Sequence, residues 1–391
     1  MLLPQALISD LTIRMATSFT RRQILAAGLG AISVAVAPRR GATATATPGS
    51  FLLISAADIN REHHVVATDK YGRLAFQVRL PFRGHEALVT PDKQWLIVMP
   101  RRPGKIGAKI RLSDPENYSL FCAGYGRHFY GHAVLTRDGE FLISSENDFE
   151  AGRGVLSVRK TQDLSVISEI GSGGIGPHQI AWLSDQKTLA VANGGILTHP
   201  DKPRKKLNLD SMRPNLTLVS LDDGLIQQQF ESPNYQSSMR HIDVTPDDDV
   251  VVGLQHEGDY SESVPLVVVA RVNGAIEVLP QPIADTLNMK QYIASVAVDP
   301  KTFIVAVTSP RGHQIAFWDV RTSKYLGQKR LRDVAGLAIE KGTNGFFAST
   351  GVGRIDRFSA IAPLHSSGIS LKTPGVQWDN HLLLVEGVNA A

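Results

Sequence analysis

Four histidines occupy a repeated position in the sequence, and imidazole at a repeated position could bind metal ions. They are His85, His132, His178 and His241, and each begins an apolar segment that leads into an Asp, Pro or Gly turn. Neutral imidazole binds transition-metal ions or a haem iron, whereas protonated imidazole binds anions. A structural role, in which each histidine bonds a neighbouring strand, would also repeat. These four are the candidate metal ligands; the cofactor stays open, and a metal ion or haem would fit.

The spacing between each histidine and its turn leaves open how many of the four side chains converge. His85 and His178 stand seven residues before the turn Asp, whereas His132 and His241 stand six residues before it. In a strand, a difference of one residue moves a side chain to the opposite face. The sequence therefore predicts that two to four of the histidines meet.

A second group of candidates surrounds these histidines and a long insertion. Mixed Arg, His, Asn and carboxylate side chains suit a small anionic ligand or a metal chelate, although solvated loops have the same composition. The full set of candidate ligand-binding residues is His85, Arg127, His128, Tyr130, His132, Glu146, Asn147, Asp148, Arg153, His178, Asn193, His199, Arg204, Arg240, His241 and His256.

Motifs of the common catalytic sites are missing from the sequence. There is no Gly-x-Ser-x-Gly, no His-Glu-x-x-His, no phosphate-binding loop with Lys-Ser/Thr and no Cys-x-x-Cys-His. Cys122 is the only cysteine, which excludes an intramolecular disulfide and a cysteine-based metal cluster. We expect it to be a buried structural thiol. No catalytic residue is assigned, and whether the protein is an enzyme stays open.

Six similar units position these residues. Each is an apolar strand, a turn and a second apolar strand, and the turn residues are Thr90, Thr136, Ser184, Thr245, Asp299 and Glu340. Their spacing of 41 to 61 residues is typical of β-propeller blades with about four strands each. We expect the strands between Phe51 and Leu80 to pair with a C-terminal strand at His381–Val385. The prediction is an all-β, seven-bladed β-propeller that its terminal strands close.

The longest interval between units contains an insertion, Asn193 to Asn215. It is polar, has three prolines and includes a basic run at 202–206. Long loops in compact folds are usually functional or disordered. The mixture of apolar and polar residues favours an ordered loop over one face of the ring. The predicted propeller domain with this insertion covers residues 47–391.

Residues 1–46 are typical of an export signal. Arg21-Arg22 is followed by an apolar run at 24–37 and by Ala44-Thr45-Ala46, which is the order found in twin-arginine signals. The run is too short to span a bilayer, and no other segment has 18 consecutive apolar residues. We expect a periplasmic mature chain without a transmembrane segment, and Met15 is an alternative start.

The charge balance supports no nucleic-acid partner. Without residues 1–46, the chain has 36 basic and 36 acidic residues, so the net charge of +4 belongs to the signal. A neutral domain lacks the basic surface that nucleic-acid binding requires.

Three segments resemble a known family. They are SENDFEAGRGVLSV at 145–158, NGGILTHPD with KLNLDSMRPNL at 193–216, and GHAVLTRDG at 131–139. Over essentially the whole mature chain, the sequence resembles the domain of unknown function 1513 (DUF1513) family of exported bacterial proteins. More distantly, its repeats are similar to YVTN-type and quinoprotein amine dehydrogenase β-chain-like propellers. The family has no assigned catalytic residues. Its association with periplasmic iron-uptake genes implies a role near iron or haem acquisition, with iron-uptake proteins as partners.

Three functions fit these observations. The leading prediction is a non-catalytic periplasmic propeller that binds a small ligand or partner in iron or haem acquisition. The alternatives are an enzyme, either a lactonase-like hydrolase with a channel metal or an oxidoreductase with a bound cofactor, and a pure protein-interaction scaffold. Convergence of the four histidines on one cavity would favour the first two.

Overall fold

The computed structural model describes residues 51–388 except 203–204, 273 and 341. The predicted export signal at 1–46 and the candidate Arg204 lie outside the described residues. Within them the chain forms strands β1 to β29, one six-residue helix, α1 (Ile283–Asn288), and a short 3₁₀ helix at Leu209–Ser211. No helix in this part of the chain has the length and apolar character needed to cross a membrane.

The strands form seven antiparallel sheets, which are the blades of a β-propeller. Blade 1 contains β1 (Phe51–Ile59), β2 (Glu62–Asp69) and β3 (Leu74–Arg79), together with β28 (Val376–Trp378) and β29 (Leu383–Glu386). Blade 2 is β4 (Gly84–Val89), β5 (Trp95–Pro100), β6 (Ile106–Arg111) and β7 (Asp114–Cys122). Blade 3 is β8 (Arg127–Leu135), β9 (Phe141–Asp148), β10 (Arg153–Lys160) and β11 (Val166–Gly171). Blade 4 is β12 (Pro177–Trp182), β13 (Thr188–Asn193), β14 (Asn215–Ser220) and β15 (Ile226–Glu231).

The remaining three blades follow the same order. Blade 5 is β16 (Ser237–Val244), β17 (Val250–His256), β18 (Val267–Ala270) and β19 (Ile276–Val278). Blade 6 is β20 (Ser295–Val298), β21 (Ile304–Ser309), β22 (Gln314–Asp319) and β23 (Lys324–Arg330). Blade 7 is β24 (Val334–Glu340), β25 (Gly345–Thr350), β26 (Arg354–Ser359) and β27 (Ser366–Lys372). The first strands of blades 2 to 7 contact one another in turn, and β29 of blade 1 contacts both β24 and β4, so these strands line the central channel.

Both ends of the chain meet in blade 1. β29 pairs with the start of β1, with Leu52 opposite Val385 and Ile54 opposite Leu383, and β28 pairs with its end. This pairing covers an otherwise open sheet edge and confirms the predicted seven-bladed ring closed by the terminal strands. The predicted C-terminal strand was two residues too long at its start, because His381 lies in the connection before β29.

The core consists of apolar layers between neighbouring blades. Between blades 1 and 2, Ile54 and Val65 pack with Leu96 and Ile110, and between blades 3 and 4, Ile143 packs with residues of β12 and β13. Fully burying one such side chain contributes about 1.5–3 kcal/mol. These layers fix each blade against the next, and therefore fix the inner strands around the channel.

The turns of blades 2 and 3 share a hydrogen-bonding pattern. In blade 3, the Thr136 hydroxyl donates to Asp138 and accepts the Phe141 amide at 3.0 Å, while Asp138 accepts the Glu140 amide at 2.9 Å. Gly139 follows with φ of +75°, a conformation that glycine adopts without strain. The Thr and Asp side chains thus replace backbone partners in the turn, which explains the repeated Thr-x-Asp spacing.

The prediction of a buried structural thiol is wrong. Cys122 is exposed, because it ends β7, the outermost strand of blade 2, with its side chain facing solvent.

Candidate functional site: a histidine cluster in the channel

A β-bulge at each of the four repeated histidines turns its side chain into the channel. The pairing register shifts between Gly84 and Ala87 in β4 and between Phe129 and Ala133 in β8. Similar shifts occur in β12, before Ile180, and in β16, before His241. A bulge inserts an unpaired residue and changes the direction of the side chains beside it. The six- and seven-residue spacings therefore lead to the same place, and all four histidines converge.

A fifth histidine, His381, completes the cluster. Its ring lies 4.5 Å, centroid to centroid, from both His85 and His132. The His132 and His178 rings are 4.6 Å apart, and the His178 and His241 rings are 4.9 Å apart. The His241 ring lies 5.0 Å from that of His381. Five imidazoles from blades 1 to 5 thus form one closed group, which we call the histidine cluster.

His381 was missed by the sequence analysis, which placed it at the start of a strand. It is held in the connection between β28 and β29, where its carbonyl accepts a hydrogen bond from the Ser55 hydroxyl. Gly336 in β24 provides the space, because a Cβ there would lie 3.0 Å from the His381 carbonyl carbon. The available signal was its position: it precedes the C-terminal inner strand, as the other four histidines begin theirs.

The histidine cluster is buried, and four of its imidazoles have lowered pKa values. His132 and His241 are no more than 1% exposed, and His85 and His178 no more than 5%. Burial lowers the pKa of His85 more than the hydrogen bond with Asp379 raises it, so the pKa is about 4. Burial and neighbouring histidines also hold the pKa of His178, His241 and His381 well below the ordinary value. Neutral imidazole is the form that binds metal ions.

Asp379 orients one of the five rings. Its Oδ1 accepts a hydrogen bond from Nδ1 of His85 at 3.1 Å, and Arg83 donates to its Oδ2 at 2.7 and 3.0 Å. Burial alone would raise the pKa of Asp379, but the hydrogen bond from His85 and the charges of Arg101 and Arg83 outweigh it and hold the pKa below its usual range. With its proton on Nδ1, His85 presents a bare Nε2, an arrangement that is common for metal-binding histidines.

Six ring nitrogens of the histidine cluster are buried without a hydrogen-bond partner among the described residues. They are Nε2 of His85, both nitrogens of His132, Nδ1 of His178, Nδ1 of His241 and Nε2 of His381. Of these, Nδ1 of His132 lies 3.3 Å from Glu86 Oε2. Two groups of three histidines, which share His132, have ligand atoms that all lie within 4.8 Å of one another. Three converging nitrogens are enough to hold a zinc-like ion with a position left open.

The next layer of the channel, by contrast, is fully engaged in the fold. Glu86 accepts the Ala133 amide at 3.0 Å, Gln179 accepts the Ile242 amide at 3.1 Å, and Asp243 accepts the Val298 amide at 2.7 Å. Each bond joins one blade to the next. Burial raises the pKa of Asp243 to about 6. These side chains and His381 line a cavity of about 240 Å³.

Arg240 is the second unusual group beside the cluster. It precedes His241 in β16, is 1% exposed, and has no hydrogen-bond partner for Nε or Nη2. The nearest ion pair is with Glu257, whose Oε1 lies 4.0 Å from Nη2, too far for a hydrogen bond. Burial, followed by the charge of Arg102, lowers the pKa of Arg240 to about 10, so it remains charged at neutral pH.

The candidates of blade 3 mostly have structural partners. Arg127 lies 3.1 Å from Asp148 and 2.9 Å from Glu169, and Arg153 lies 3.4 Å from Asp148. Glu146 pairs with Arg159 at 2.7 Å. The polar run after an apolar strand at 140–144 predicts a loop there, and this prediction is wrong: Glu146, Asn147 and Asp148 belong to β9. Asn147 is fully buried with both amide atoms unpartnered.

Aromatic packing holds the candidates near the insertion. The His128 ring stacks on Tyr130 at 5.3 Å, and the His199 ring lies 5.0 Å from that of Phe149. The Tyr130 hydroxyl donates to the Ile196 carbonyl at 2.9 Å, which fastens the start of the insertion to blade 3.

The last two candidates also have partners within the fold. Asn193 donates to the Ser172 carbonyl at 2.9 Å and to Asn215 at 2.9 Å. His256 bonds Ser237 through Nδ1 and Glu262 through Nε2, both at 3.1 Å.

The sequence profile of a family described as "Protein of unknown function (DUF1513)" matches residues 78–385. The chain belongs to the DUF1513 family. The match includes all five residues of the histidine cluster, so the cluster lies within the family domain. No curated protein matches the chain in sequence.

Solved structures with the same fold are numerous, and 1416 chains match. One is Kuenenia stuttgartiensis hydrazine synthase, with a TM-score of 0.58 and 15% identity over 73% of this chain and 86% of that chain. At this identity the likeness shows the propeller fold alone.

Proposed function

We propose that this DUF1513 protein binds a transition-metal ion in the histidine cluster. The observation that supports this is the set of six unpartnered nitrogens on five buried imidazoles. Leaving a buried polar group without a partner costs about 1–3 kcal/mol. A bound metal ion would be the missing partner of these nitrogens and would remove this cost. If the histidines were purely structural, we would expect their nitrogens to form hydrogen bonds with other residues.

The donor set narrows the choice of metal. Imidazole nitrogens suit zinc, copper, iron and nickel, whereas calcium and magnesium prefer oxygen ligands. Ring centroids only 4.5 to 5.0 Å apart leave room for an ion between the rings but not for a haem macrocycle. For the iron-acquisition role that the family resemblance implied, we therefore propose that the ligand is a metal ion and not haem. The twin-arginine-like motif at Arg21-Arg22 supports a periplasmic location for this activity.

Removing His132 should give the largest loss of metal affinity. His132 belongs to both groups of converging nitrogens, so His132→Ala leaves neither group complete. Protein stripped with a chelator would be titrated calorimetrically with Zn²⁺, Cu²⁺, Ni²⁺ and Fe²⁺. We expect one ion per wild-type chain and a loss of affinity above about a hundredfold in the variant, since losing a second-shell partner alone costs about 10–100-fold.

His365→Ala is the matched control, because His365 is exposed and lies outside the cluster. It should bind the ion as the wild type does. The proposal of metal binding would be wrong if His132→Ala and the wild type had equal affinities, or if none of the four ions bound.

A metal-dependent enzyme is the second candidate function. The cavity of about 240 Å³ that reaches His381 would give a bound ion an open side for a small substrate. Turnover in a lactone and ester hydrolysis screen, abolished by a chelator and by His132→Ala, would support it.

A further inference from the structure

Several guanidinium groups lie near the histidine cluster. Arg240 directly precedes His241 in β16, and Arg101 lies 3.4 Å from Asp379, which bonds His85. Arg102 lies with its guanidinium carbon 5.6 Å from the centre of the Tyr130 ring, whose centroid is 6.4 Å from that of His178. Three positively charged groups therefore lie close to one small region.

Glu86 Oε2 lies 3.3 Å from Nδ1 of His132. The carboxylates nearest to His85 and Arg240, those of Asp379 and Glu257, are already paired with cations. Asp379 is bonded to Arg83 and His85, and Glu257 forms an ion pair with Lys206. Neither offers a hydrogen bond to Nε or Nη2 of Arg240. A buried guanidinium normally has such bonds, because an unpaired buried charge is strongly unfavourable. A divalent ion held by neutral imidazoles would add further positive charge beside it.

We propose that a small oxyanion binds between Arg240 and the metal ion of the histidine cluster. This inference rests on the proposed function, and it names the ligand class as carboxylate, carbonate or phosphate. The two free donors of Arg240 form one edge of its planar fork, which matches two oxygens of such an anion. The anion would complete the coordination of the metal and balance the charge of the site.

The insertion forms one wall of this subsite. A Cβ at Gly194 would lie 3.4 Å from the guanidinium carbon of Arg240 and 2.8 Å from the Ser238 hydroxyl, so the loop passes against the arginine. The Ser238 hydroxyl in turn donates to the Gly194 carbonyl at 2.7 Å. Glycine is therefore required where the insertion covers the arginine, which gives the insertion a direct part in enclosing the anion.

The proposal predicts that the metal binds more tightly when a suitable anion is present. Zn²⁺ would be titrated into the full chain in chloride buffer, and again with bicarbonate, citrate or phosphate added at equal ionic strength. At least one anion should raise Zn²⁺ affinity about tenfold or more, as expected for charge-assisted hydrogen bonds. Comparing citrate and bicarbonate with phosphate identifies the planar or tetrahedral member of the class.

Arg240→Met should abolish this increment, and Arg240→Lys, which keeps the charge but loses the fork, should reduce it. Arg73→Met is the matched control, since Arg73 is exposed on blade 1 and the same charge is removed. An increment that survives in both Arg240 variants, or equal Zn²⁺ affinity with and without all three anions, would overturn the proposal.

A second measurement separates this proposal from metal binding itself. The melting temperature of the metal-free chain would be recorded with each anion. If Zn²⁺ does not bind but an anion raises the melting temperature in an Arg240-dependent way, the anion subsite stands and the metal proposal fails. If Zn²⁺ binds without any anion effect in either measurement, the metal proposal stands and the anion subsite is wrong.

Discussion

Two arginines of this propeller are equally buried but differ in their partners. Arg159 in β10 and Arg240 in β16 are each 1% exposed. Arg159 donates to Glu146 at 2.7 Å, to the Ser144 hydroxyl at 3.2 Å, and to two backbone carbonyls at 3.0 and 3.1 Å. Arg240 leaves Nε and Nη2 without a partner. The fold can therefore satisfy a buried guanidinium, and beside the histidine cluster it does not.

The histidines show the same difference. His256 is buried and bonds Ser237 and Glu262 through its two ring nitrogens, whereas neither nitrogen of the buried His132 makes a hydrogen bond, although its Nδ1 lies 3.3 Å from Glu86 Oε2. Among the buried histidines and arginines, those with buried nitrogens that make no hydrogen bond belong to the histidine cluster or directly precede one of its members, whereas Arg159 and His256 are satisfied within their blades. Unused hydrogen-bonding groups therefore distinguish ligand-binding residues from structural residues more clearly than burial or residue type does.

Breaking the ion pair between Arg159 and Glu146 should have the largest effect on stability. Arg159→Met leaves Glu146 charged, fully buried and without its cation, which typically costs about 3–5 kcal/mol. Urea denaturation followed by tryptophan fluorescence would measure the loss of unfolding free energy. Zn²⁺ affinity of the folded fraction should not change, since Arg159 lies outside the cluster.

The double variant Arg159→Met/Glu146→Leu tests the cause. Replacing both ions with apolar side chains removes the stranded charge, so most of the lost stability should return. If the double variant is no more stable than Arg159→Met, the ion pair with Glu146 does not explain the stabilising effect of Arg159. Arg159 would then no longer serve as the structural example in the comparison with Arg240.

The histidine cluster should make the metal-free protein sensitive to acid. The pKa of His85 is about 4 in the fold, below the ordinary value of 6.5. Because the pKa is lower in the folded state, neutral His85 contributes to the unfolding free energy above pH 6.5, and this contribution is lost as the pH falls towards 4. Its size is about 3 kcal/mol for this residue alone. Urea titrations at intervals from pH 7.5 to 4.5, with and without Zn²⁺, would measure it.

A bound ion should shift this acid loss to lower pH, because protons and metal compete for the same nitrogens. His85→Asn should flatten the profile of the metal-free protein, whereas His365→Asn should leave it unchanged. A wild-type profile that is level from pH 7.5 to 4.5 would show that the cluster is not held neutral by burial.

The sequence predicted the architecture better than the site. Its repeated pattern indicates where the strands are, but it does not indicate their local pairing register. The Asp and Gly turns and the alternating apolar strands were enough for seven blades. The convergence of His85 and His132 could not be read, because a one-residue difference in spacing predicts opposite faces unless the bulges are known. His381 was missed since it enters the cluster from the closing connection, and Glu146 was misplaced because a polar, buried strand end looks like a loop.

Arg240 provides the smallest expected effect and the sharpest test of the comparison. If its donors serve a ligand rather than the fold, Arg240→Met removes a buried charge whose nearest carboxylate, Glu257, is 4.0 Å away. The unfolding free energy should then change by about 1 kcal/mol or less, or increase. The same urea titration used for Arg159→Met measures this in ligand-free protein. A loss as large as that of Arg159→Met would mean that the fold itself uses the Arg240 charge. The two buried arginines would then be equivalent, and the unpartnered atoms of Arg240 would no longer indicate a ligand.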